Sequence, residues 1–344
     1  MDTNEHESKK RSIRVTIAIP TLAADSKLLD CVRSLAAQTW RDFEVVIIDN
    51  SGKKRARETV GACGDVRFIE NDANRGFGAA INQACSGSQS TYVAVLNDDA
   101  VAGPRWLEEL VSAAESRPET GMFASQVRLM GREALDSAGM LICADGSSKQ
   151  RGHGASPDKY SRAGEALLPS GSAALYRRDM LEQIGGFDED FFLYCEDTDL
   201  GLRARWAGWK CWYAPAAVVY HHYSHSAGRA TPLKAYYVER NRLFLIVKNF
   251  PLPALLAAPL FSIARYWWHL VAMLQGRGAA AKFRQDGESG AGLIAIVIRA
   301  HWSLLRNWNA VWRKRRDVKR TIPAAEFQRL LRDYAISARE VAEL

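Results

Sequence analysis

The chain has no C-x-x-C pair, although it carries six cysteines. Cys31, Cys63, Cys85, Cys143, Cys195 and Cys211 are scattered singly, which argues against a zinc ribbon or a disulfide scaffold and fits a reducing compartment. The opening MDTNEHESKKRS contains no apolar run. No secretory signal is read there, residues 1–12 are expected to be a disordered lead-in, and the cytoplasm is the expected location. No internal repeat is visible. The most apolar stretch, 252–275, is interrupted by Pro253, Pro259, Arg265 and His269, which speaks against a helix crossing a bilayer. The segment RGFGAAIN (75–82) lacks the third Gly or Ala of G-x-G-x-x-G and follows the wrong strand, which sets aside a dinucleotide-dependent oxidoreductase.

What is present suits a folded globular protein. At 47% hydrophobic and 25% charged, a chain of 344 residues can bury a substantial core, as two modest domains or as one large domain with an appendage. Its net charge of +7 points to an anionic partner: a nucleic acid, a nucleotide or an anionic membrane surface. The runs RVTIAIPT (14–21), FEVVIIDNSG (43–52), DVRFIEN (65–71) and TYVAVLNDDA (91–100) read as buried strands. Helices are expected at 26–40 and 76–87. Strands and helices alternating at this pace predict an α/β layer with a mostly parallel sheet, whose ligands gather at the carboxyl ends of the strands. Here those ends carry PT, DN, END and NDD. The glycine- and serine-rich stretch 144–165 is expected to be a mobile surface loop, a candidate lid.

The far C-terminal third differs. On a helix over 252–275, Ser262, Arg265, His269 and Ala272 form a narrow, weakly polar stripe on an otherwise apolar cylinder, which suits a helix lying in a bilayer interface. Residues 291–320 repeat the theme, with Trp302, Leu305, Trp308 and Trp312 on one side and Arg299, Arg306 and Arg313 on another. The basic residues from Arg299 to Arg320 read as an anionic-lipid contact. Packing on the core or on another subunit is the alternative.

Three clusters can carry chemistry. Asn97, Asp98 and Asp99 end a buried strand, where carboxylates can hold a hard divalent cation or simply form an Asx-turn. In FFLYCEDTDLGLRARWAGW (191–209), a helix is expected to begin near Thr198 or Asp199, with Asp199 paired to Arg203 at i,i+4. Glu196 and Asp197 then precede the helix, where a carboxylate facing a cleft can act as a general base. A strand ending in His221 offers a ligand candidate, with His222 and His225 as surface or supporting residues.

The order of these parts resembles the family 2 glycosyltransferases, inverting enzymes of the GT-A (Rossmann-like) fold, and within them the rhamnosyltransferase-like branch. The resemblance rests on VTIAIPT, FEVVIIDNSG, NDANRGFGAAIN, LNDDA, the long PSGSAALYRRDMLEQIGGFDEDFFLYCEDTDLGLRARWAGWKCWYAPAAVVYHH, and YYVERNRLFLIVKNFP. It implies a catalytic domain over 13–250, with a nucleotide-binding half (13–100) and an acceptor half (101–250), followed by a helical membrane-associating or oligomerisation region (251–344). It also implies that Pro20, Thr21, Asp49, Asn74, Arg75, Gly78, Asn97, Asp98 and Asp99 face the nucleotide sugar. Asn97 stands where the D-x-D motif has its first aspartate. Asp99 and His221 would hold Mg²⁺ or Mn²⁺, Asp197 would be the base with Glu196 beside it, and Gly171 and Ser172 would line the acceptor pocket. The implied donor is dTDP-L-rhamnose, with a hexosyl or galactofuranosyl UDP-sugar as the alternative. The implied acceptor is a glycan or lipid-linked glycan at the inner face of a membrane. A processive synthase is disfavoured because Leu202 stands where Q-x-x-R-W needs Gln. A nucleic-acid-binding role is disfavoured because no such motif accompanies the basic residues. A homo-oligomer remains open.

Overall fold

Val15, Ile17 and Ile19 face one side of a sheet and Ala18 the other, because successive side chains of a strand alternate. Both sides are buried, so the strand is apolar except for the hydrogen-bonded Thr16 and Thr21. The computed structural model describes residues 13–61, 63–222, 231–278, 281 and 290–343. The expected lead-in and His225 lie outside the described residues.

The nucleotide-side half alternates as β1 (Val15–Thr21), α1 (Ser26–Ala36), β2 (Phe43–Asp49), α2 (Ala56–Val60), β3 (Val66–Glu70), α3 (Phe77–Ser86) and β4 (Tyr92–Leu96). The short α2 is an element that periodicity did not reveal. Next come β5 (Ala100–Ala102), α4 (Trp106–Glu115), β6 (Thr120–Leu129), β7 (Leu135–Ser137), β8 (Met140–Ile142), β9 (Ser148–Gln150), β10 (Gly164–Ala166), β11 (Ala173–Arg177), α5 (Arg178–Ile184), α6 (Glu196–Trp206) and β12 (Lys210–His221). The sheet order is β10-β12-β6-β11-β4-β1-β2-β3, with β5 on β12 and β7 on β6. β4-β1-β2-β3 are parallel, whereas β11 runs antiparallel between β4 and β6. The reversal at β11 leaves a crevice above the ends of β1 and β4.

Three expectations change. Residues 144–165 are not a free surface loop: they contain β9 and β10, and Asp145 is fully buried. The cause is an ionic anchor, with the Asp145 carboxylate held by Arg265 and Arg242. Second, α6 begins at Glu196 rather than near Thr198. Phe192, Tyr194 and Cys195 have φ of 61°, 68° and 66°, so the chain turns sharply and enters the helix at once. Third, not every basic residue of 299–320 is left for a lipid contact, since part of the run packs on the core. Lys314 pairs with Asp188 and Asp190, and Arg315 donates to the carbonyls of Val247 and Phe250 at 2.7 Å.

The C-terminal helices are α7 (Pro232–Asn249), α8 (Leu252–Leu274), α9 (Gly290–Arg306), α10 (Trp308–Asp317), α11 (Ala324–Asp333) and α12 (Ala338–Glu343). They return to the sheet: Trp206 of α6 stacks on Phe327 of α11 with centroids 3.9 Å apart, and Ile142 bridges to Ala335. Among the described residues no helix is long and apolar enough to cross a membrane.

Candidate active site

The crevice is built first by strand ends. Parallel pairing of β1 with β4 sets Thr21 beside the Asn97–Asp99 turn, and Thr21 Oγ1 donates to Asp98 Oδ2 at 2.6 Å. Antiparallel pairing of β12 with β5 sets His221 opposite Ala100. His221 Nε2 thereby reaches Asp99 Oδ1 at 3.0 Å, and its Nδ1 reaches Asp136 Oδ2 at 2.7 Å. Burial would favour a neutral imidazole, but the two carboxylates outweigh it and push His221 up to about 10. For Asp99, burial opposes ionisation, yet the His221 hydrogen bond and charge hold its carboxyl below the usual range.

Asp99 and His221 form an open pair. Among the described residues no third His, Cys, Asp or Glu completes a protein cage around an ion. Such a pair fits a hard divalent cation that takes its remaining oxygens from a diphosphate and water. Anchoring of the second imidazole nitrogen on a carboxylate is a frequent arrangement behind metal-binding histidines. Asp136, which supplies that anchor, was not foreseen. It sits in a three-residue strand within an irregular region, and no spacing connects it to His221.

Pro20, Thr21, Asn74, Asn97, Asp98 and Asp99 line a cavity of about 600 Å³. Three other expected nucleotide contacts are placed differently. Asp49 is fully buried, and its carboxylate accepts from Ser51 N, Ser51 Oγ and Ala56 N; it shapes the loop after β2, while the adjacent Asn50 lines the cavity. Arg75 is exposed and does not line the cavity. Gly78 is a packing position, since a Cβ there would stand 3.0 Å from Phe187 Cβ. The neighbouring Gly76 (φ 88°) meets the backbone of Phe192, whose carbonyl accepts from Phe77 N at 2.9 Å. That contact ties the nucleotide side to the loop preceding α6.

The opposite wall carries Glu196 and Asp197 in the first turn of α6. Asp197 Oδ2 accepts from Gly171 N at 2.9 Å and Oδ1 from Thr198 N at 2.6 Å. Gly171 is pressed close, because a Cβ would lie 3.2 Å from Asp197 Oδ2. Ser172 is buried behind it, its carbonyl accepting from Asn97 N at 2.9 Å. Burial raises the Asp197 carboxyl, and the backbone donors partly offset this. Glu196 Oε2 is buried without a hydrogen-bond partner; burial and then the Asp197 charge push Glu196 up to about 8. Within the pair, Glu196 has no donor to hold a charge on its buried oxygen, whereas Asp197 has backbone donors that favour its ionised form.

A direct consequence concerns pH. The Asp197 carboxylate is lost as pH falls through its raised value, so an activity that depends on it would show an acid limb. As pH rises through about 8, Glu196 ionises and places a second charge beside the first. Glu196→Gln is expected to remove the alkaline transition from the kcat/KM profile and to leave the acid limb in place. An unchanged alkaline limb in that variant would assign the transition elsewhere.

The loop before α6 is held from behind by α7. Asn241, fully buried, donates Nδ2 to the carbonyls of Phe191, Leu193 and Tyr194 at 2.7, 2.8 and 2.7 Å. A single amide thus fixes the segment that delivers Glu196 and Asp197, and supports the left-handed residues that would otherwise relax. Beyond Asp197 the cavity becomes apolar, bounded by Leu293, Ile296 and Val297 of α9.

With this geometry in hand, comparison with known proteins is informative. A family model described as "Glycosyltransferase like family 2" matches residues 13–243. An N-acetylglucosaminyl-diphospho-decaprenol L-rhamnosyltransferase of Mycobacterium tuberculosis is 32% identical over 220 residues, covering 57% of this chain and 72% of that protein. A glucosyl-dolichyl phosphate glucuronosyltransferase of Haloferax volcanii is 25% identical, over 51% of this chain and 56% of its own length. Among solved structures, GalNAc-T7 with UDP, GalNAc and Mn²⁺ superposes with a TM-score of 0.57 at 14% identity, covering 80% of this chain and 55% of that one. At such low identity this likeness establishes the fold, which is GT-A.

Proposed function

The chain belongs to family 2 of the glycosyltransferases, and on that premise we propose an inverting transfer with Asp197 as general base. The sugar, L-rhamnose in the first reading, moves from a nucleoside diphosphate to a hydroxyl of a glycan or lipid-linked glycan. The observation that carries this reading is the placement of two unlike carboxylate sites in one cavity. Asp99 with His221 stands at one side, and Asp197, fixed by Gly171 and Thr198, stands at the other. The first suits a diphosphate with its counter-ion; the second suits a nucleophilic hydroxyl.

In this scheme Thr21, Asn50 and Asn74 line the nucleotide end of the cavity. A divalent ion held by Asp99 and His221, Mg²⁺ or Mn²⁺, would offset the diphosphate charge in binding and in departure. Asp197 accepts the proton of the acceptor hydroxyl as that oxygen attacks the anomeric carbon, opposite the departing diphosphate. One displacement inverts the anomeric centre. Transfer of L-rhamnose rather than a hexose, and a polyprenyl-diphosphate-linked acceptor, are suggested by the mycobacterial relative's name, while dTDP as its carrier rests on the resemblance to the rhamnosyltransferase-like branch. The net charge and the basic C-terminal helices suit work at the inner face of an anionic membrane.

A panel of dTDP- and UDP-sugars, followed by thermal shift with and without Mn²⁺ and then by transfer to a polyprenyl-diphosphate-GlcNAc acceptor, tests the reading. Asp99→Ala is expected to abolish the Mn²⁺-dependent stabilisation by the nucleotide sugar. Asp136→Asn, which loosens the anchor on His221, should weaken metal affinity by about 10–100-fold. An unaltered Mn²⁺ increment in Asp99→Ala would remove this residue from the metal site.

A further inference from the structure

Helix α8 is turned inside out relative to an ordinary surface helix. Ala258, Ser262, Arg265 and Ala272 are its buried residues. The polar stripe is bonded inward: Arg265 Nη2 donates to Glu239 Oε2 at 2.7 Å, and Ser262 Oγ accepts from Arg242 Nη1 at 3.0 Å. Its apolar residues face out, with Leu256 72%, Leu260 71%, Ile263 64% and Trp267 62% exposed. Helix α9 behaves alike. Ile296 and Ala300 are buried, while Ile294, Ile298, Trp302 and Leu305 are each at least 60% exposed. These two helices hold twelve of the eighteen exposed large apolar side chains among the described residues, far beyond the scattered few of a typical monomer surface.

The same helices wall the catalytic cavity. Arg265, Tyr266 and His269 of α8 and Leu293, Ile296 and Val297 of α9 line it from their inward sides. The space in front of Asp197 is therefore one helix thickness from the exposed apolar residues. Among the described residues the charge around that surface is predominantly positive, with Asp317 as the acid amid the basic run. Neither α8 nor α9 contains an Asp or Glu, and Arg299, Arg306, Arg313, Arg316 and Lys319 are exposed on α9 and just beyond it. A two-fold partner copy would set these cations against their own counterparts, at an electrostatic cost. An anionic lipid interface complements them, accepts the apolar side chains, and seats tryptophans at head-group depth.

We propose that the outward faces of α8 and α9 form a single interfacial docking surface for anionic phospholipid bilayers, with the catalytic cavity between them. An acceptor's sugar then reaches Asp197 while its hydrocarbon stays in the bilayer. The lipid surface follows from the two helices alone; only the identity of the acceptor rests on the function proposed above.

Flotation of the full-length protein with phosphatidylcholine vesicles containing a quarter phosphatidylglycerol tests this without any substrate. The wild type should float with these vesicles, less with pure phosphatidylcholine, and less again in 0.5 M NaCl, by charge screening. The triple variant Leu260→Gln, Ile263→Gln, Trp267→Gln should lose at least about tenfold in partition, from the apolar area withdrawn. Its melting temperature and its transfer to a short-chain, water-soluble acceptor should stay as in the wild type. The pair Ile298→Gln, Trp302→Gln on α9 gives a second reading should the triple variant fail to fold. Wild-type protein that does not float, or variants that float equally, overturn the proposal. So does a dimer in solution that these same substitutions dissolve without altering flotation. Intact flotation with no transfer to a lipid-linked acceptor would instead refute the acceptor reading and leave the docking surface standing.

Discussion

Asp197→Asn is expected to lower transfer by about 10²–10⁴-fold while nucleotide binding persists, the range that general-base assistance supplies. The substitution keeps the shape, and an amide oxygen can still accept from Gly171 N or Thr198 N, so the first turn of α6 should hold. What is lost is the basic oxygen at the acceptor wall. Glu196, buried without a hydrogen-bond partner, loses in this variant the Asp197 charge that helps to raise it, so the residual rate measures how far it can substitute. Single-turnover rates, with nucleotide affinity measured by calorimetry on the same preparation, separate the two effects. Turnover near the wild-type rate would end the assignment of Asp197 as base.

Asp199→Ala should act on stability instead. Asp199 is fully buried, with Oδ2 accepting from Arg203 Nε at 2.8 Å and Lys248 Nζ at 2.9 Å, and Oδ1 from Asn249 Nδ2 at 2.8 Å. These cations hold its carboxyl below the usual range despite burial. Removing the carboxylate leaves two buried cations short of a counter-charge, a change that costs about 3–5 kcal/mol where measured in other proteins. Arg203 also donates to the carbonyls of Ile184 and Gly186, and Lys248 also pairs with Asp188, so the low end of that range is expected. Urea denaturation followed by tryptophan fluorescence reads the effect directly. A loss below about 0.5 kcal/mol, the level of an exposed i,i+4 pair, would show that the network does not stabilise the fold.

The three acids of the 196–199 stretch thus differ in environment although they are neighbours in sequence. One is buried with an oxygen that has no hydrogen-bond partner, one is held by backbone donors at the cavity wall, and one is the centre of an ionic network. Their proximity, the i,i+4 pairing of Asp199 with Arg203, and the polar stripe on α8, though not its direction, were legible from spacing, because helical periodicity is a local property. The strands and their polar ends were legible for the same reason.

Other parts were not. Helix α6 starts two residues earlier than its apolar pattern suggests, because the left-handed turn at Phe192–Cys195 is imposed by contacts with Gly76 and Asn241, far away in the chain. Asp49 is implied as a nucleotide contact by the resemblance, and the structure adds that its carboxylate also holds the loop after β2 through Ser51 and Ala56. Asp136 gave no signal, and Asn50 and Asn241 stood in quoted motifs without a role, since each draws its role from a partner brought near only by the sheet or by α7. The stretch 144–165 looked mobile until Arg265, more than a hundred residues later, anchored Asp145.

The sequence by itself determined the alternating layer, the family, and which residue types stand at the strand ends. These depend on local hydrophobic period and on a long, specific motif. Tertiary structure alone decided which carboxylate is buried without a donor, which is bonded by its own loop, and which way the apolar helices face. Those outcomes depend on desolvation and on charge pairing across distant segments, and neither is a property of any short stretch of chain.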